Sequence, residues 1–204
     1  MDCVMLSLKS LREESLKLAR KIEKDYKPDL VVYIARGGYL IGKEISDYFQ
    51  VPCVGIHAER RGGGLKEISS PLLRILPQSV KRSLREMELN SGVHKVDKER
   101  NIFWDPMDAY LIKNNSGIKN ILLVDDSVDT GYSMLQVKEK ICRELGNVVV
   151  RTAAINVWSK SAGVCETNYS NYRDTIIMTP MSKDSKEYPT FESLYEGRKI
   201  INTD

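Results

Sequence analysis

One acidic stretch of this sequence, followed by hydroxyl residues, has the residue types most suited to binding a ligand or to catalysis. Residues 121–134 read ILLVDDSVDTGYSM, in which four apolar residues lead into Asp125 and Asp126, and Asp129 follows three residues later. Two adjacent carboxylates at the end of a strand repel each other unless a ligand meets them. Carboxylates accept hydrogen bonds from diol hydroxyl groups and bind divalent cations. The pattern therefore predicts a ligand site.

The residues after the acids suit a phosphate group. Thr130, Gly131, Tyr132 and Ser133 come directly before an apolar pattern of helical spacing that begins at Met134. The free N–H groups and the dipole at a helix N-terminus attract anions, and the two hydroxyl side chains can add donors. A sugar phosphate carries both a diol and a phosphate, so it satisfies both halves of the stretch.

Two other interpretations of this stretch explain less. Paired acids after a strand also bind magnesium in receiver domains, but there the strand lies near the start of the domain, whereas here most of the chain precedes it. Alternatively, Asp129 is a helix N-cap, and the other two acids lie on a loop without a ligand-binding role. That interpretation accounts for one aspartate and leaves the adjacent pair unexplained.

The elements that position these residues alternate between strands and helices. Apolar runs predict strands at 30–35, 51–57, 121–124, 148–158 and 174–178. Helical spacing of apolar residues predicts helices at about 8–25, 39–49 and 131–145, the last with Gly146 as its C-cap. This alternation is typical of an α/β fold with a mainly parallel sheet flanked by helices. In such sheets, ligands bind at the carboxyl ends of the strands, where the acidic stretch lies.

Residues 58–118 interrupt the alternation with a segment too long for a plain loop. We interpret it as an insertion, with a mobile loop around ERRGGGLKEISS (59–70) and a partly helical segment after it. Residues 60–100 hold ten Lys and Arg against five acids, in a chain whose net charge is +3. Packing on the domain or a dimer contact is the favoured role for residues 71–90, and contact with an anionic membrane is the alternative.

Composition limits the remaining classes. A chain of 204 residues that is 42% hydrophobic is long enough for one globular domain with a core of its own. Its four cysteines are widely separated and it has two histidines, which argues against a zinc site and favours a reducing compartment. The charged N-terminus does not resemble a signal peptide, and no run of apolar residues is long enough to span a membrane. We expect a cytoplasmic protein, and nothing points to a nucleic-acid partner.

ILLVDDSVDTGYSM is similar to the phosphoribosyl-diphosphate (PRPP) signature of the type I phosphoribosyltransferases. The resemblance implies that Asp125 and Asp126 bind the 2- and 3-hydroxyls of the ribose. It also implies that the turn from Asp129 to Ser133 wraps the 5-phosphate. In the purine-using branch of the family, the acid at the position of Asp129 exchanges a proton with the base nitrogen, which is a general acid–base role.

A second stretch, DLVVYIARGGYLIGKEISDYF (29–49), resembles the pyrophosphate loop of the xanthine/guanine and hypoxanthine phosphoribosyltransferases. There, a strand leads through R-G-G into a helix. The pyrophosphate leaves carbon 1 of PRPP with growing negative charge, which a fixed cation and N–H groups stabilise. The resemblance assigns these roles to Arg36, Gly37 and Gly38, and Arg36 thereby becomes a catalytic candidate.

A third, fainter resemblance concerns the base. INVWSKSAG (155–163) is similar to the strand whose lysine touches the exocyclic oxygen of a 6-oxopurine, which makes Lys160 a base-binding candidate. The pattern then departs from the family: Ile176 stands where the stacking aromatic is expected, and Met181 follows Pro180. An isoleucine can cover a ring face by dispersion, with less energy than a stacked aromatic. The departure leaves the identity of the acceptor open.

Together the motifs predict a phosphoribosyltransferase in one domain (1–204), with the insertion at 58–118 and a C-terminal hood at 164–204. The expected reaction is the Mg²⁺-dependent transfer of phosphoribose from PRPP to a purine-like base, with release of pyrophosphate. Asp125 and Asp126 would hold the metal, directly or through water. A homodimer is expected. The alternatives are an enzyme of the same fold with a non-nucleobase acceptor and a regulator that senses PRPP or a nucleotide. Arg36 and Asp129, which a sensor does not need, favour an enzyme.

Overall fold

The computed structural model describes residues 3–60, 100–106, 108–114 and 117–201. Its strands are β1 (Cys3–Met5), β2 (Leu30–Ala35), β3 (Cys53–Arg60), β4 (Arg100–Trp104), β5 (Asn120–Val128), β6 (Val149–Val157), β7 (Tyr169–Arg173) and β8 (Ile176–Met178). Its helices are α1 (Leu8–Ile22), α2 (Tyr39–Phe49), α3 (Ala109–Asn114), α4 (Tyr132–Leu145) and α5 (Tyr188–Ile201), with a 3₁₀ turn at Ser159–Ser161.

Six strands form one sheet in the order β4-β3-β2-β5-β6-β7. The β2 strand pairs in parallel with both β3 and β5, and β6 continues the parallel pairing from β5 to β7. Only the edge strand β4, within the described residues, runs antiparallel to its neighbour. This architecture confirms the predicted α/β fold class with a mainly parallel sheet and flanking helices.

Both faces of the sheet are covered, which explains the continuous apolar runs of the central strands. On one face, α1 and α2 pack Leu18 and Ile45 against residues such as Leu122 of β5. On the other face, α4 packs Val137 against residues such as Leu123. Successive residues of β5 therefore enter opposite cores, so a polar residue cannot replace either without loss of buried apolar area.

The ends of the helices follow from capping. Ser7 begins α1, because its hydroxyl accepts a hydrogen bond from the backbone N–H of Ser10. That helix ends at Ile22, three residues before the predicted end. Gly146 follows α4 with φ of 73°, a conformation that glycine adopts without strain, as predicted for a C-cap.

The C-terminal region differs from the sequence prediction. The strand predicted at 174–178 begins at Ile176, and it pairs with β1 in a separate two-stranded sheet. The sixth place in the main sheet goes to β7, whose sequence YSNYR is too polar to be recognised from its pattern. β7 is an edge strand of partly exposed residues, so burial does not demand an apolar sequence there.

The insertion is described only at its two ends. β3 continues to Arg60, and β4 returns antiparallel to it, with Arg60 opposite Arg100 and His57 opposite Phe103. The predicted mobile loop (59–70), apart from its first two residues, and the segment 71–90, with its dimer or membrane roles, lie outside the described residues. No helix within the described ranges is long and apolar enough to cross a membrane.

Candidate active site

The two motifs predicted to bind PRPP meet at the carboxyl ends of β2 and β5. These strands are parallel neighbours, and Tyr33 lies opposite Val124, so the residues that follow them emerge side by side. A Cβ atom on Gly37 would lie 2.7 Å from Oδ1 of Asp126. The residue at 37 must therefore lack a side chain for the pyrophosphate-loop motif to approach the acidic pair this closely.

The backbone of the Arg36–Gly38 turn is equally close to the sheet. A Cβ atom on Gly38 would lie 2.6 Å from the carbonyl oxygen of Val124. The N–H of Gly38 donates to the carbonyl oxygen of Ile34 at 2.9 Å, and α2 begins at the next residue. The peptide bond between Ala35 and Arg36 is cis. The turn thus places Arg36 directly before Gly37, which approaches the acidic pair, and it leads into the N-terminus of α2.

The paired carboxylates are held by the backbone of β5 itself. Oδ1 of Asp125 accepts a hydrogen bond from the N–H of Asp126 at 2.9 Å, and Oδ1 of Asp126 accepts one from the N–H of Ser127 at 2.8 Å. Burial raises the pKa of Asp125 well above its ordinary value, and the neighbouring Asp126 carboxylate raises it further. This half-buried pair of adjacent carboxylates can accept hydrogen bonds from ligand hydroxyls and can hold a cation.

A cavity of about 160 Å³ lies beside the turn that follows the acids. Gly131 has φ of 84°, and a Cβ atom there would lie 3.0 Å from the carbonyl oxygen of Ser161, so only glycine fits the turn without strain. Much of the lining comes from the predicted site residues, and the described lining comprises Arg100, Asp125, Ser127, Val128, Asp129, Thr130, Gly131, Ser133 and Met134. Tyr132 begins α4 and is not among these residues.

Asp129 lines the same cavity, and Ser127 orients the Asp129 carboxylate. The Ser127 hydroxyl donates to Oδ1 of Asp129 at 3.0 Å, and both residues line the cavity. No motif singled out Ser127, which lies between Asp126 and Val128 in the acidic stretch. Its spacing of two residues from Asp129, within an extended strand end, could have suggested that the two side chains share one face.

Arg100 is a residue of the candidate site that no sequence motif indicated. It lies on β4, lines the cavity, and has its backbone N–H fixed by Oε1 of Gln136 on α4 at 3.0 Å. Its guanidinium group also reaches the carbonyl oxygen of Ala58 at 3.4 Å. The local excess of basic residues was visible in the sequence, but the strand that carries Arg100 to the cavity was not.

Side chains of the C-terminal helix α5 lie around the guanidinium group of Arg36. Nη2 of Arg36 lies 3.2 Å from Oε1 of Glu192, in a salt bridge at the surface. The guanidinium carbon lies 4.9 Å from the ring centre of Tyr195, 5.8 Å from that of Phe191 and 5.9 Å from that of Tyr188. We name these four residues of α5 (Tyr188, Phe191, Glu192 and Tyr195) the α5 cradle. No motif had indicated a role for this helix.

The two base-binding candidates are placed apart from the cavity. Lys160 is exposed on the 3₁₀ turn, and its Nζ lies 5.6 Å from the centre of the Trp158 ring. Ile176 is only 2% exposed and belongs to the small sheet with β1. Neither residue lines the cavity described above, so both base-binding roles stay predictions.

The acids were also predicted to hold a metal ion. Within the described residues, no group of three or more His, Cys, Asp or Glu side chains is arranged to bind one. Asp125 and Asp126 are adjacent and supply two carboxylates. This donor set fits a divalent cation whose remaining ligands are oxygens of a bound phosphorylated substrate and water.

Comparisons with known proteins bear on the fold and the family. In solved structures, the chain resembles a purine phosphoribosyltransferase from Pyrococcus horikoshii (19% identity, 88% of this chain and 93% of that chain, TM-score 0.55). It also resembles a xanthine-guanine-hypoxanthine phosphoribosyltransferase from Helicobacter pylori (14% identity, 98% of each chain, TM-score 0.58). A third similar structure is a hypothetical protein from Neisseria gonorrhoeae with bound ppGpp (15% identity, 97% of each chain, TM-score 0.58). At such low identity these likenesses show a shared fold.

No curated protein sequence matches the chain. The family comparison is more specific than the structural ones: the model of the phosphoribosyl transferase domain matches residues 7–173, which includes both the Arg36–Gly38 turn and the whole acidic stretch. Since this match spans most of the chain, the protein belongs to the phosphoribosyl transferase family and is a phosphoribosyltransferase.

Proposed function

We propose that the protein transfers phosphoribose from PRPP to a nitrogen of a purine-like base and releases pyrophosphate. The observation that carries the proposal is the contact between its two PRPP motifs, since Gly37 approaches Asp126 so closely that a Cβ atom would clash. PRPP would span these two motifs, with its diphosphate at the Arg36–Gly38 turn and its ribose 5-phosphate at the acidic stretch.

Each part of PRPP has a complementary group in this arrangement. The ribose hydroxyls donate to Asp125 and Asp126, and the 5-phosphate occupies the cavity at Thr130, Gly131 and Ser133. Arg100 adds a cation to the wall of that cavity. A phosphate next to a guanidinium group forms short, charge-assisted hydrogen bonds, which are stronger than neutral ones.

The chemical step exchanges one bond at carbon 1 of the ribose for another. The bond from carbon 1 to the pyrophosphate oxygen breaks, and the pyrophosphate leaves with the electron pair towards Arg36 and the N–H group of Gly37. The N–H of Gly38, which the resemblance also assigned to the pyrophosphate, already donates to the carbonyl oxygen of Ile34. The base nitrogen forms the new bond to carbon 1. Asp129 accepts the proton that this nitrogen loses, and Ser127 keeps its carboxylate oriented.

Magnesium is the proposed cofactor. Bound Mg²⁺ would neutralise the charge that grows on the pyrophosphate oxygens. Asp125 and Asp126 are the residues that would hold it, directly or through water. Their close packing and the raised pKa of Asp125 support this assignment, because a nearby cation relieves the repulsion between the two carboxylates.

The test is PRPP-dependent release of pyrophosphate with Mg²⁺, assayed separately with hypoxanthine, guanine, xanthine, adenine and uracil. We expect release with a purine, and loss of that release in Asp126→Asn but not in Gly117→Ala, where a Cβ atom meets nothing within 4 Å. Failure of PRPP both to react and to raise the melting temperature would refute the proposed site.

A second candidate is a phosphoribosyltransferase whose acceptor is not a nucleobase. The burial of Ile176 favours it, because a side chain that is 2% exposed offers no face for a ring to stack on. The same assay separates the two candidates: stabilisation by PRPP without release for any of the five bases would favour this one.

A further inference from the structure

We propose that Glu192 is an internal counter-anion for Arg36, and that the diphosphate of the substrate displaces it. The inference rests on the proposed function, in which Arg36 binds the diphosphate. Glu192 would thereby act as a positioning residue for Arg36. It lies on α5, a helix to which no motif assigned a role. The aromatic residues of the α5 cradle would fix the position of the Arg36 guanidinium group, while Glu192 accepts a hydrogen bond from one N–H donor of that group until the diphosphate binds.

The ion pair has the features of an exchangeable contact. Nη2 of Arg36 and Oε1 of Glu192 are 3.2 Å apart, and their side chains are 39% and 48% exposed. One hydrogen bond between half-exposed charges contributes little free energy, since water screens it. A diphosphate carries several charged oxygens and can accept two parallel N–H bonds from a guanidinium group, which is a stronger arrangement. The diphosphate should therefore win the exchange.

The Arg36 guanidinium group would keep its position after the exchange because Phe191 and Tyr195 hold it through their rings. Tyr188 is the cradle ring that also meets Glu192, since its hydroxyl donates to Oε1 of Glu192 at 3.1 Å. Phe191 and Tyr195 are buried, and the Tyr195 ring centre lies 4.9 Å from the guanidinium carbon, a distance at which the ring attracts a cation. Nε of Arg36 is buried and has no hydrogen-bond partner among the described residues. The rings, more than hydrogen bonds, therefore set the position of the group.

Other contacts anchor α5, so Glu192 can be changed without release of the helix. Arg198 forms a buried salt bridge with Asp105. At the other end, Oε2 of Glu187 accepts a hydrogen bond from the N–H of Leu8 at 2.9 Å. Between them, Tyr195 packs edge-on against Tyr39, with ring centres 5.3 Å apart.

The test measures the affinity of pyrophosphate, with Mg²⁺ present, by titration calorimetry of the full chain. Glu192→Gln keeps the size of the side chain and removes its charge. A surface ion pair is worth up to about 1 kcal/mol, which corresponds to roughly fivefold in affinity. We therefore expect Glu192→Gln to bind pyrophosphate about two- to fivefold more tightly, and KM for PRPP to fall in the same proportion. Unchanged affinity would overturn the proposal.

Three further variants separate the possible causes. Glu196→Gln removes an equal charge one helical turn further along α5; if it tightens binding as much as Glu192→Gln does, a general field and not the exchange is responsible. In an Arg36→Ala background, Glu192→Gln should have no effect, because the counter-anion has lost its partner. If Arg36→Ala alone leaves pyrophosphate affinity unchanged, the proposed role of Arg36 is wrong, independently of Glu192.

Discussion

At the residue scale, Asp129 is the group on which the proposed proton transfer depends. Asp129→Asn keeps the volume of the side chain and can still accept the hydrogen bond from Ser127, but its amide cannot take up a proton. We expect PRPP to stabilise this variant against heat as it does the wild type, while kcat falls by roughly 10²- to 10⁴-fold. Normal turnover by the variant would show that the base loses its proton elsewhere.

Asp125 makes the stability of the protein depend on pH. Burial, and then the neighbouring Asp126 carboxylate, raise its pKa in the folded protein, whereas an unfolded aspartate titrates near 3.9. Between these two values the folded state holds more protons than the unfolded state, so the free energy of unfolding falls as pH rises. Above the pKa of folded Asp125, the folded protein carries the charged carboxylate, and the full unfavourable effect of this charge on the free energy of unfolding is present.

Asp125→Asn should consequently be more stable than the wild type near neutral pH, although it loses PRPP binding. The difference should shrink as pH falls and vanish below about pH 4, where Asp125 is protonated in both states. Melting temperatures of the two proteins across this pH range measure the effect. A variant that is less stable at neutral pH, or a difference independent of pH, would contradict the assignment.

At the scale of elements, β4 completes the site from the far end of the insertion. It runs antiparallel to β3 and brings Arg100 to the wall of the cavity. Arg100→Gln removes the cation there, and charged hydrogen bonds of this kind contribute about 1.5–3 kcal/mol. We expect KM for PRPP to rise about tenfold or more, and ribose 5-phosphate to bind more weakly in the same proportion.

Arg100→Lys is the matched control for this prediction. It keeps the charge but loses the planar fork of the guanidinium group, so its KM should fall between those of the wild type and Arg100→Gln. If all three proteins bind ribose 5-phosphate equally, the cavity holds the phosphate by the Thr130–Ser133 turn alone.

At the scale of the whole molecule, a buried charge network joins the C-terminal helix to the edge of the sheet. Asp105 follows β4 and bonds to Arg198 of α5, and it also lies 3.3 Å from Nε2 of His57 on β3. Removal of one partner from a buried charge pair costs about 3–5 kcal/mol when nothing else compensates the remaining charge, and less when, as at Asp105, His57 stays beside it. The network therefore ties the α5 cradle of Arg36 to the strand pair that carries Arg100.

Arg198→Met should lower the free energy of unfolding by about 1.5–3 kcal/mol, the contribution of a charged hydrogen bond, as measured by urea denaturation. Lys43→Ala is the control, because its partner Asp47 is one turn away on the exposed side of α2, and such pairs contribute at most about 0.5 kcal/mol. Equal stability of the two variants would mean that the other contacts of Asp105, such as His57, suffice without Arg198, or that Asp105 accepts a proton.

The sequence by itself determined the features that are encoded locally. The apolar runs at 30–35 and 121–124 predicted the two central strands, and the helical spacing after Met134 predicted α4 with its glycine cap. The two motifs also predicted the family to which the chain belongs. These signals succeed because periodicity, caps and motifs each occupy a window shorter than about twenty residues.

Only the tertiary structure decided which distant groups meet. Arg36 and Glu192 are 156 residues apart in the chain, and Arg100 reaches its cavity through an edge strand that has no clear sequence pattern. Ile176, expected at the site from its order in the chain, is buried in a separate sheet. Such contacts depend on strand order and on how helices pack across the whole chain, and no local window contains that information.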